Sequence, residues 1–445
     1  MAGSMCLWPN VARGQERTKR PNVIIIFTDD QGYQDVGCFG SPNIRTPNLD
    51  RMAAEGMRFT DFYVAASVCS PSRAALMTGC YPPRVGITKV LFPGDNIGLN
   101  SKEVTIADVL KARGYATACI GKWHLGHLPE FLPTSNGFDY YFGIPYSNDM
   151  DGVKDENKNL DRSWREKDFS PWNVPLMRDE QIVERPADQT TLIERYTYEA
   201  LRFIRENKDD PFFLYLPHTM PHVPLFVSDE FYVDDPKQAY RATIEQIDWS
   251  VGQVLDTLKK VGVDKNTLVI FTSDNGPWLS KKHHGGSALP LRDGKFSTYE
   301  GGMREPCIMR WPGQIPAGSV CREVAATIDL LPTIAKLAGG QAPTDRAIDG
   351  SDIWPLMAAQ SGAESPHEAY YYYRGTRLEA IRSGKWKLVR KKETALYDLR
   401  ADISEEHNLA DEHPEVVARL AAAMERFDKD LKANARPPGE VKPSG

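Results

Sequence analysis

The sequence predicts an α/β protein: a large domain built on a central sheet flanked by helices, then a smaller domain of antiparallel strands closed by a helix. Three observations predict it. Over the first three-quarters of the 445 residues, short apolar runs alternate with amphipathic segments, the pattern of a sheet with helical crossovers. Four of those runs, at 23–27, 116–120, 212–216 and 268–271, end in acids, an amide, a lysine or histidines. Beyond about residue 345 the alternation gives way to short strands joined by tight turns.

Residues 1–20 contain Trp8, Pro9, Arg13, Glu16, Arg17, Lys19 and Arg20 and lack a basic start followed by a sustained apolar stretch. An intact secretory signal is therefore not visible, and the segment reads as an N-terminal extension, a signal remnant (around 5–14) or appended residues. Thr46 and Pro47 open a helix that stops at Gly56, and Thr105 opens another that ends before Gly114. Residues 191–207 and 239–261 carry helical apolar spacing and are expected to pack on the sheet. Between Pro343 and Ile353 the chain turns polar and loop-like, which puts the domain boundary near 345. Four short strands at 369–374, 378–383, 386–390 and 396–399 follow, then a closing helix at 415–433. Residues 436–445 read as a tail.

With 41% hydrophobic and 26% charged residues, the composition is that of an ordinary globular protein with a large core. The formal charge of −6 advertises no basic surface, so neither nucleic acid nor membrane is an expected partner. No apolar run approaches the roughly 18 residues of a membrane helix. The seven cysteines, at 6, 38, 69, 80, 119, 307 and 321, form no CxxC pair and no dense framework. No zinc site is suggested, and their odd number leaves at least one without an intrachain partner.

In open α/β sheets, ligands sit outside the carboxyl ends of the strands. The first run leads into Asp29 and Asp30, the second into Lys122 and His124, the third into His218 and His222, the fourth into Asp274 and Asn275. Four such exits imply one convergent site. Asp29, Asp30, Asp274 and Asn275 are hard oxygen donors suited to calcium or magnesium, although an Asp-Asp pair after a strand also serves as a turn or helix cap. In Cys69-Ser70-Pro71-Ser72-Arg73, Ser70 is a good N-cap, Pro71 suits a first helical position, and Gly79 ends the helix. Residue 69 is thereby expected just before a helix N-terminus, where free N–H groups favour an anion. A lone cysteine there is more often an ordinary buried thiol.

The stretch from Cys69 to Gly79 matches C-x-P-S-R-x-x-x-x-T-G, a signature of the sulfatases of the alkaline phosphatase superfamily, and the chain resembles that family. The segment from Gly114 to His124 resembles the second signature. The likeness runs from about Pro21 to Ala410 and includes 59–63, Gly301-Gly-Met-Arg-Glu-Pro306 and Leu396-Tyr-Asp-Leu399. Arylsulfatase A and N-acetylgalactosamine-6-sulfatase are the branches it looks most like. The resemblance implies an alkaline-phosphatase-like domain with a mixed sheet at 21–345 and an α+β domain at 346–435. It also implies a maturation enzyme that oxidises Cys69 to formylglycine. The hydrated aldehyde has two hydroxyls on one carbon: one attacks sulfur and releases the alcohol, and deprotonating the other expels sulfate.

By family position, Arg73 and Lys122 hold the diol and His124 takes the proton that releases sulfate. Lys295 and His222 bind sulfate oxygens, and one of them protonates the leaving group. Asp29, Asp30, Asp274, Asn275 and residue 69 hold the metal, calcium by family habit and magnesium by ligand type also. Ser147, in Pro145-Tyr-Ser-Asn148, aligns with a serine near the diol, and its plainer reading is a turn hydroxyl. His222 is chosen over His218 because it precedes x-Pro; His218, His283 and His284 are expected near the substrate. The loop holding Trp278, Lys281, Lys282, His283 and His284 reads equally as a sugar or second-anion contact and as a solvated loop. The charged insertion at 149–168 and residues 370–374 are expected to rim the cleft. The expected substrate is a small-molecule or glycan sulfate ester. A phosphonate monoester or phosphodiester hydrolase of the same superfamily is the alternative, and a non-catalytic glycan binder the remaining one. The resemblance leans towards a periplasmic or other extracytoplasmic location.

Overall fold

The apolar run at 23–27 forms β1 (Asn22–Thr28), buried along its whole length. Successive side chains of a strand point to opposite faces, and both faces here are apolar. Ile24 and Ile26 enter one core with Ile244, Ile247 and Val251 of the helix Ala239–Lys260 and with Leu192 and Tyr196 of the helix Leu192–Glu206. Val23, Ile25 and Phe27 enter the other, with Leu76 and Met77 of the helix Cys69–Thr78 and Leu330 and Ile334 of the helix Leu330–Leu337. The result is three layers, helices on both faces of one sheet.

The computed structural model describes residues 20–152 and 159–442. Its 11-stranded sheet contains β1 and β2 (Met57–Tyr63) and, after a two-residue strand β3 (Ile97–Gly98) that pairs elsewhere, β4 (Ala116–Ile120) and β5 (Tyr140–Gly143). The short strands β6 (Leu176–Arg178) and β7 (Gln181–Glu184) extend one edge. The centre is completed by β8 (Phe212–Pro217), β9 (Thr267–Ser273) and β10 (Arg304–Arg310), and the far edge by β11 (Ser319–Cys321) and β12 (Ala325–Ala326). The order is β11-β2-β10-β9-β1-β8-β4-β5-β6-β7, with β12 also on β2. From β9 through β5 every pairing is parallel; β10 and β6 join antiparallel, so the sheet is mixed.

A second sheet is an antiparallel meander of β13 (Tyr370–Arg374), β14 (Arg377–Ser383), β15 (Trp386–Arg390) and β16 (Thr394–Asp398). One face, with Tyr370, Tyr372, Ala380 and Val389, packs on Tyr63, Tyr81 and Met303 of the large unit. The other, with Ile381, Leu388 and Leu396, packs on Leu420 and Met424 of the helix Pro414–Ala433. Leu388 is fully buried, so Leu388→Ala is expected to cost about 2–5 kcal/mol, read as a lowered denaturant midpoint at unchanged slope. The seam between the units holds a buried ionic hub. The Glu300 carboxylate accepts from Tyr63 Oη at 2.6 Å, Tyr372 Oη at 2.9 Å and Lys387 Nζ at 2.9 Å.

Two expectations are corrected. The helix containing the cysteine begins at Cys69 itself, with Val68 as its N-cap residue. The Ser70 hydroxyl does not cap it; that oxygen accepts from Leu91 N at 3.1 Å. Residues 436–442, read as a tail, are held by the large unit: β17 (Gly439–Glu440) pairs with β3, and Arg436 Nε bonds Glu103 at 2.7 Å. Residues 1–19, and 153–158 of the charged insertion, lie outside the described residues. Among the described residues no helix is long and apolar enough to cross a membrane, and the six described cysteines are all unpaired.

Candidate active site

Strands β9, β1, β8 and β4 are neighbours and parallel, so their carboxyl ends open on one edge. There β1 delivers Asp29 and Asp30, β9 delivers Asp274 and Asn275, β4 leads to Lys122 and His124, and β8 leads to His222. All are buried. Lys122 is aimed by a tight crossing: Gly121 has φ 135°, and a Cβ there would lie 1.9 Å from Pro217 O, so no side chain fits. Asp30 and His124 occupy left-handed backbone, with φ of 64° and 62°. Such conformations cost about 1–3 kcal/mol and cluster at functional sites.

Cys69 Sγ, in the first turn of its helix, lies 3.6 Å from Asp29 Oδ1 and 3.7 Å from Lys295 Nζ. One turn on, Arg73 Nε and Nη2 donate to Asp274 Oδ2 at 3.0 and 2.8 Å, and Nη2 lies 3.3 Å from Asp29. Lys122 Nζ pairs with Asp29 and donates to Ser147 Oγ at 3.1 Å. Lys295 Nζ donates to Asp30 Oδ2 at 2.8 Å, and Asn275 Nδ2 donates to Asp30 Oδ1 at 2.7 Å. Three buried carboxylates thus face three buried cations.

Burial works against ionisation of Asp29, yet Lys122, His222, Arg73 and Lys295 together hold its carboxyl well below the usual range. Asp274 is pushed up by burial and by the neighbouring Asp29 charge, despite Arg73. Lys295 is held protonated against burial chiefly by Asp30. Burial and Asp29 push the Cys69 thiol up, so the thiol is a poor source of thiolate.

The two site histidines are in definite hydrogen-bonding states. His124 Nε2 lies 2.9 Å from Leu91 O, a pure acceptor, so Nε2 carries the proton; Nδ1 is buried with no partner and keeps a lone pair. Burial, then Lys122 and Arg73, push its pKa well down. His222 Nδ1 lies 2.7 Å from Val223 O and 3.1 Å from Asn148 Oδ1, which assigns the proton to Nδ1. Nε2 is left facing Asp30 Oδ2 at 3.6 Å.

The donor set fits a hard divalent cation. Ligand atoms of Asp29, Asp30, Cys69 and His222 lie within 4.8 Å of one another, and the buried Asn275 Oδ1 has no hydrogen-bond partner, an acceptor aligned with the chemistry of three carboxylates.

The structure brings together Asp29, Asp30, Cys69, Arg73, Lys122, Ser147, His222, Asp274, Asn275 and Lys295, with His124 beside them through Leu91. It does not bring in the other three histidines. His218 is turned into the core, its Nε2 3.3 Å from Ser250 Oγ and its ring against Tyr196, and burial lowers its pKa to about 3. The expectation that it meets substrate is thereby corrected. His283 and His284 are engaged by Asp161, whose Oδ1 lies 2.7 and 2.8 Å from their Nε2 atoms. They tie the insertion to the following loop. Asn148, which orients His222 and bonds Pro224 O at 2.9 Å, was missed as a site residue. Its position next to Ser147 was the available signal.

The sequence model of the sulfatase family matches residues 21–340. The chain belongs to the sulfatase family. A second model, the C-terminal part of N-sulphoglucosamine sulphohydrolase, matches residues 292–430. The chain is 40% identical over 380 residues to the N-acetylgalactosamine-6-sulfatase of Mus musculus, covering 82% of this chain and 71% of that protein. It is 38% identical over 463 residues to arylsulfatase A of Homo sapiens, covering 92% and 88%. Among solved structures, Ps i-CgsB in complex with a neocarrahexaose superposes with a TM-score of 0.82 at 33% identity, covering 95% of each chain. A sulfatase from Pseudoalteromonas sp. gives a TM-score of 0.83 at 26% identity, covering 95% of this chain and 92% of that one. As a member of this family the protein is a sulfuric-ester hydrolase with an alkaline-phosphatase-like fold.

Proposed function

We propose that this sulfatase hydrolyses sulfate monoesters of carbohydrates, using residue 69 as formylglycine and a bound calcium ion. The observation that carries the reading is the setting of Cys69: a buried thiol between an aspartate and a lysine, disfavoured as thiolate. A diol on the carbon bearing that thiol would set its hydroxyls beside Asp29 and Lys295 and among the donors of the metal group. Conversion of Cys69 makes the maturation enzyme an obligate partner, and an extracytoplasmic location is part of the same reading.

Asp29, Asp30, Asp274, Asn275 and the oxidised residue 69 would hold the metal, which supplies Lewis-acid polarisation and a lower pKa for the attacking hydroxyl. Arg73 and Lys122 hold the diol, with Ser147 fixing the Lys122 ammonium. Lys295 and His222 bind the sulfate oxygens, and His222 brings a proton to the leaving oxygen from Nε2 when its ring carries a second proton there, a state that burial disfavours and the nearby Asp30 carboxylate favours. The unprotonated His124 Nδ1 receives the proton that accompanies sulfate release. We further propose the division into a catalytic unit at 21–345 and a C-terminal unit at 346–435.

Proton delivery matters most for a poor leaving group. His222→Ala is therefore expected to lower kcat/KM on a sugar sulfate by roughly 10²–10⁴-fold and on an activated aryl sulfate by much less. Equal losses on both would remove His222 as the acid. The substrate reading is tested by sulfate release from an aryl sulfate, sulfated galactose and N-acetylgalactosamine, and by phosphonate release from an aryl phosphonate. The protein used should have its residue 69 aldehyde established by peptide mass. Preference for a sugar sulfate supports the reading; turnover of phosphonate alone contradicts it.

A further inference from the structure

The loop between Asn275 and Lys295 carries more positive charge than one sulfate needs. Trp278 sits at its head, with its ring 5.6 Å from the His222 ring and its centroid 4.6 Å from Lys295 Nζ. The Phe296 ring meets it edge-on at 5.5 Å. Lys281 Nζ lies 4.2 Å from the same indole centroid. Two ammonium groups therefore share one ring, and they are no farther apart than those two centroid distances together. One of them, Lys295, touches both Asp30 and Cys69.

The two cations differ in what neutralises them. Lys295 has the Asp30 carboxylate. Of the other basic residues in the loop, His283 and His284 converge on Asp161, and Lys282 is exposed, with φ of 57°. Lys281 is half-buried and, among the described residues, has no carboxylate partner. Its contact with the indole face is worth only about 0.5–2 kcal/mol. The Asp161 tie pins the loop from its far end, so this ammonium is held beside the site and not left to wander.

We propose that Lys281 binds a second anionic group of the substrate, a sulfate or carboxylate on the same or the adjoining sugar ring. The proposal rests on the sulfatase reading and narrows its substrate class to polyanionic glycans. An anion placed at Lys281 relieves the repulsion between the two ammonium groups and gains a charge-assisted hydrogen bond. A singly sulfated sugar does neither.

The test compares kcat/KM for a disulfated hexosamine against its monosulfated counterpart, and for a sulfated disaccharide with and without a uronate carboxylate. The first pair probes a second sulfate on the same ring and the second pair a carboxylate on the next. Wild-type enzyme is expected to favour the dianionic member of at least one pair by about tenfold, less so as salt is raised. Lys281→Met is expected to bring that ratio towards one, and Lys281→Arg to keep it. A ratio that is flat in wild type, or unchanged in Lys281→Met, overturns the proposal while aryl sulfate turnover stands. Absence of turnover on every sulfate by aldehyde-bearing protein overturns the parent reading, and this one with it.

Discussion

Cys69→Ala is expected to abolish sulfate release, with kcat falling roughly 10⁴-fold or more, because the nucleophile itself is removed from a site whose other groups only position and polarise. Cys69→Ser is the more informative variant. Its hydroxyl sits at the head of the same helix, within reach of Arg73 and the Asp29 group, and it has one hydroxyl where the diol has two. It is expected to release one equivalent of alcohol and then stop, leaving a sulfate ester on residue 69 that peptide mass detects. Multiple turnovers by Cys69→Ser would show that the second hydroxyl is not needed. Neither change should disturb the fold: the position is a first helical turn, and both replacements are close to the volume of the thiol.

Removing divalent metal with a chelator is expected to lower turnover on the order of 10³-fold, the rate equivalent of several kcal/mol of transition-state stabilisation. The effect is electrostatic. Asp29, Asp30 and Asp274 are buried together, and without a cation Arg73, Lys122 and Lys295 must neutralise them. With a divalent ion held by these carboxylates, Arg73, Lys122 and Lys295 would be left for the substrate. Two readouts follow. Calcium should restore activity to the chelated protein, and should raise Tm in proportion to the logarithm of its concentration above Kd, since it binds the folded state alone. Asn275→Ala, which removes the one unpartnered buried acceptor of the group, should weaken both responses. Full activity in excess chelator, with no change in Tm, would contradict a metal-dependent site.

Much of this was legible in the sequence because it is local. Strand β1 is apolar on both faces and runs directly into Asp29 and Asp30, and β9 runs as directly into Asp274 and Asn275, so the pattern shows both the strand and what it carries. That the four strands are adjacent and parallel is not local. It was anticipated only from the kind of residue each one ends in, and it is settled by the pairings of β1 with β8 and β9 and of β8 with β4. The C-terminal meander was also legible, because its tight turns and short apolar runs are local features.

The misreadings share one cause. Ser70 obeys the local rule for a helix cap, but its hydroxyl is engaged by Leu91 N, 21 positions away, and the helix starts two residues earlier than that cap implies. His218 and His222 follow the same strand and differ by four positions. Which one faces the cleft depends on Ser250 and Tyr196, on helices far along the chain. The Glu300–Lys387 pair spans 87 positions, and residues 436–442 return to β3 across more than three hundred; no spacing rule reaches so far.

Formylglycine dependence is tested most directly by preparing the protein with graded conversion of Cys69, by varying co-expression of a formylglycine-forming maturation enzyme. The aldehyde fraction would be measured by peptide mass and set against sulfate release under saturating calcium. A straight line through the origin is expected, with unconverted protein folded, metal-competent and inactive. Turnover by protein with no detectable aldehyde would contradict formylglycine dependence.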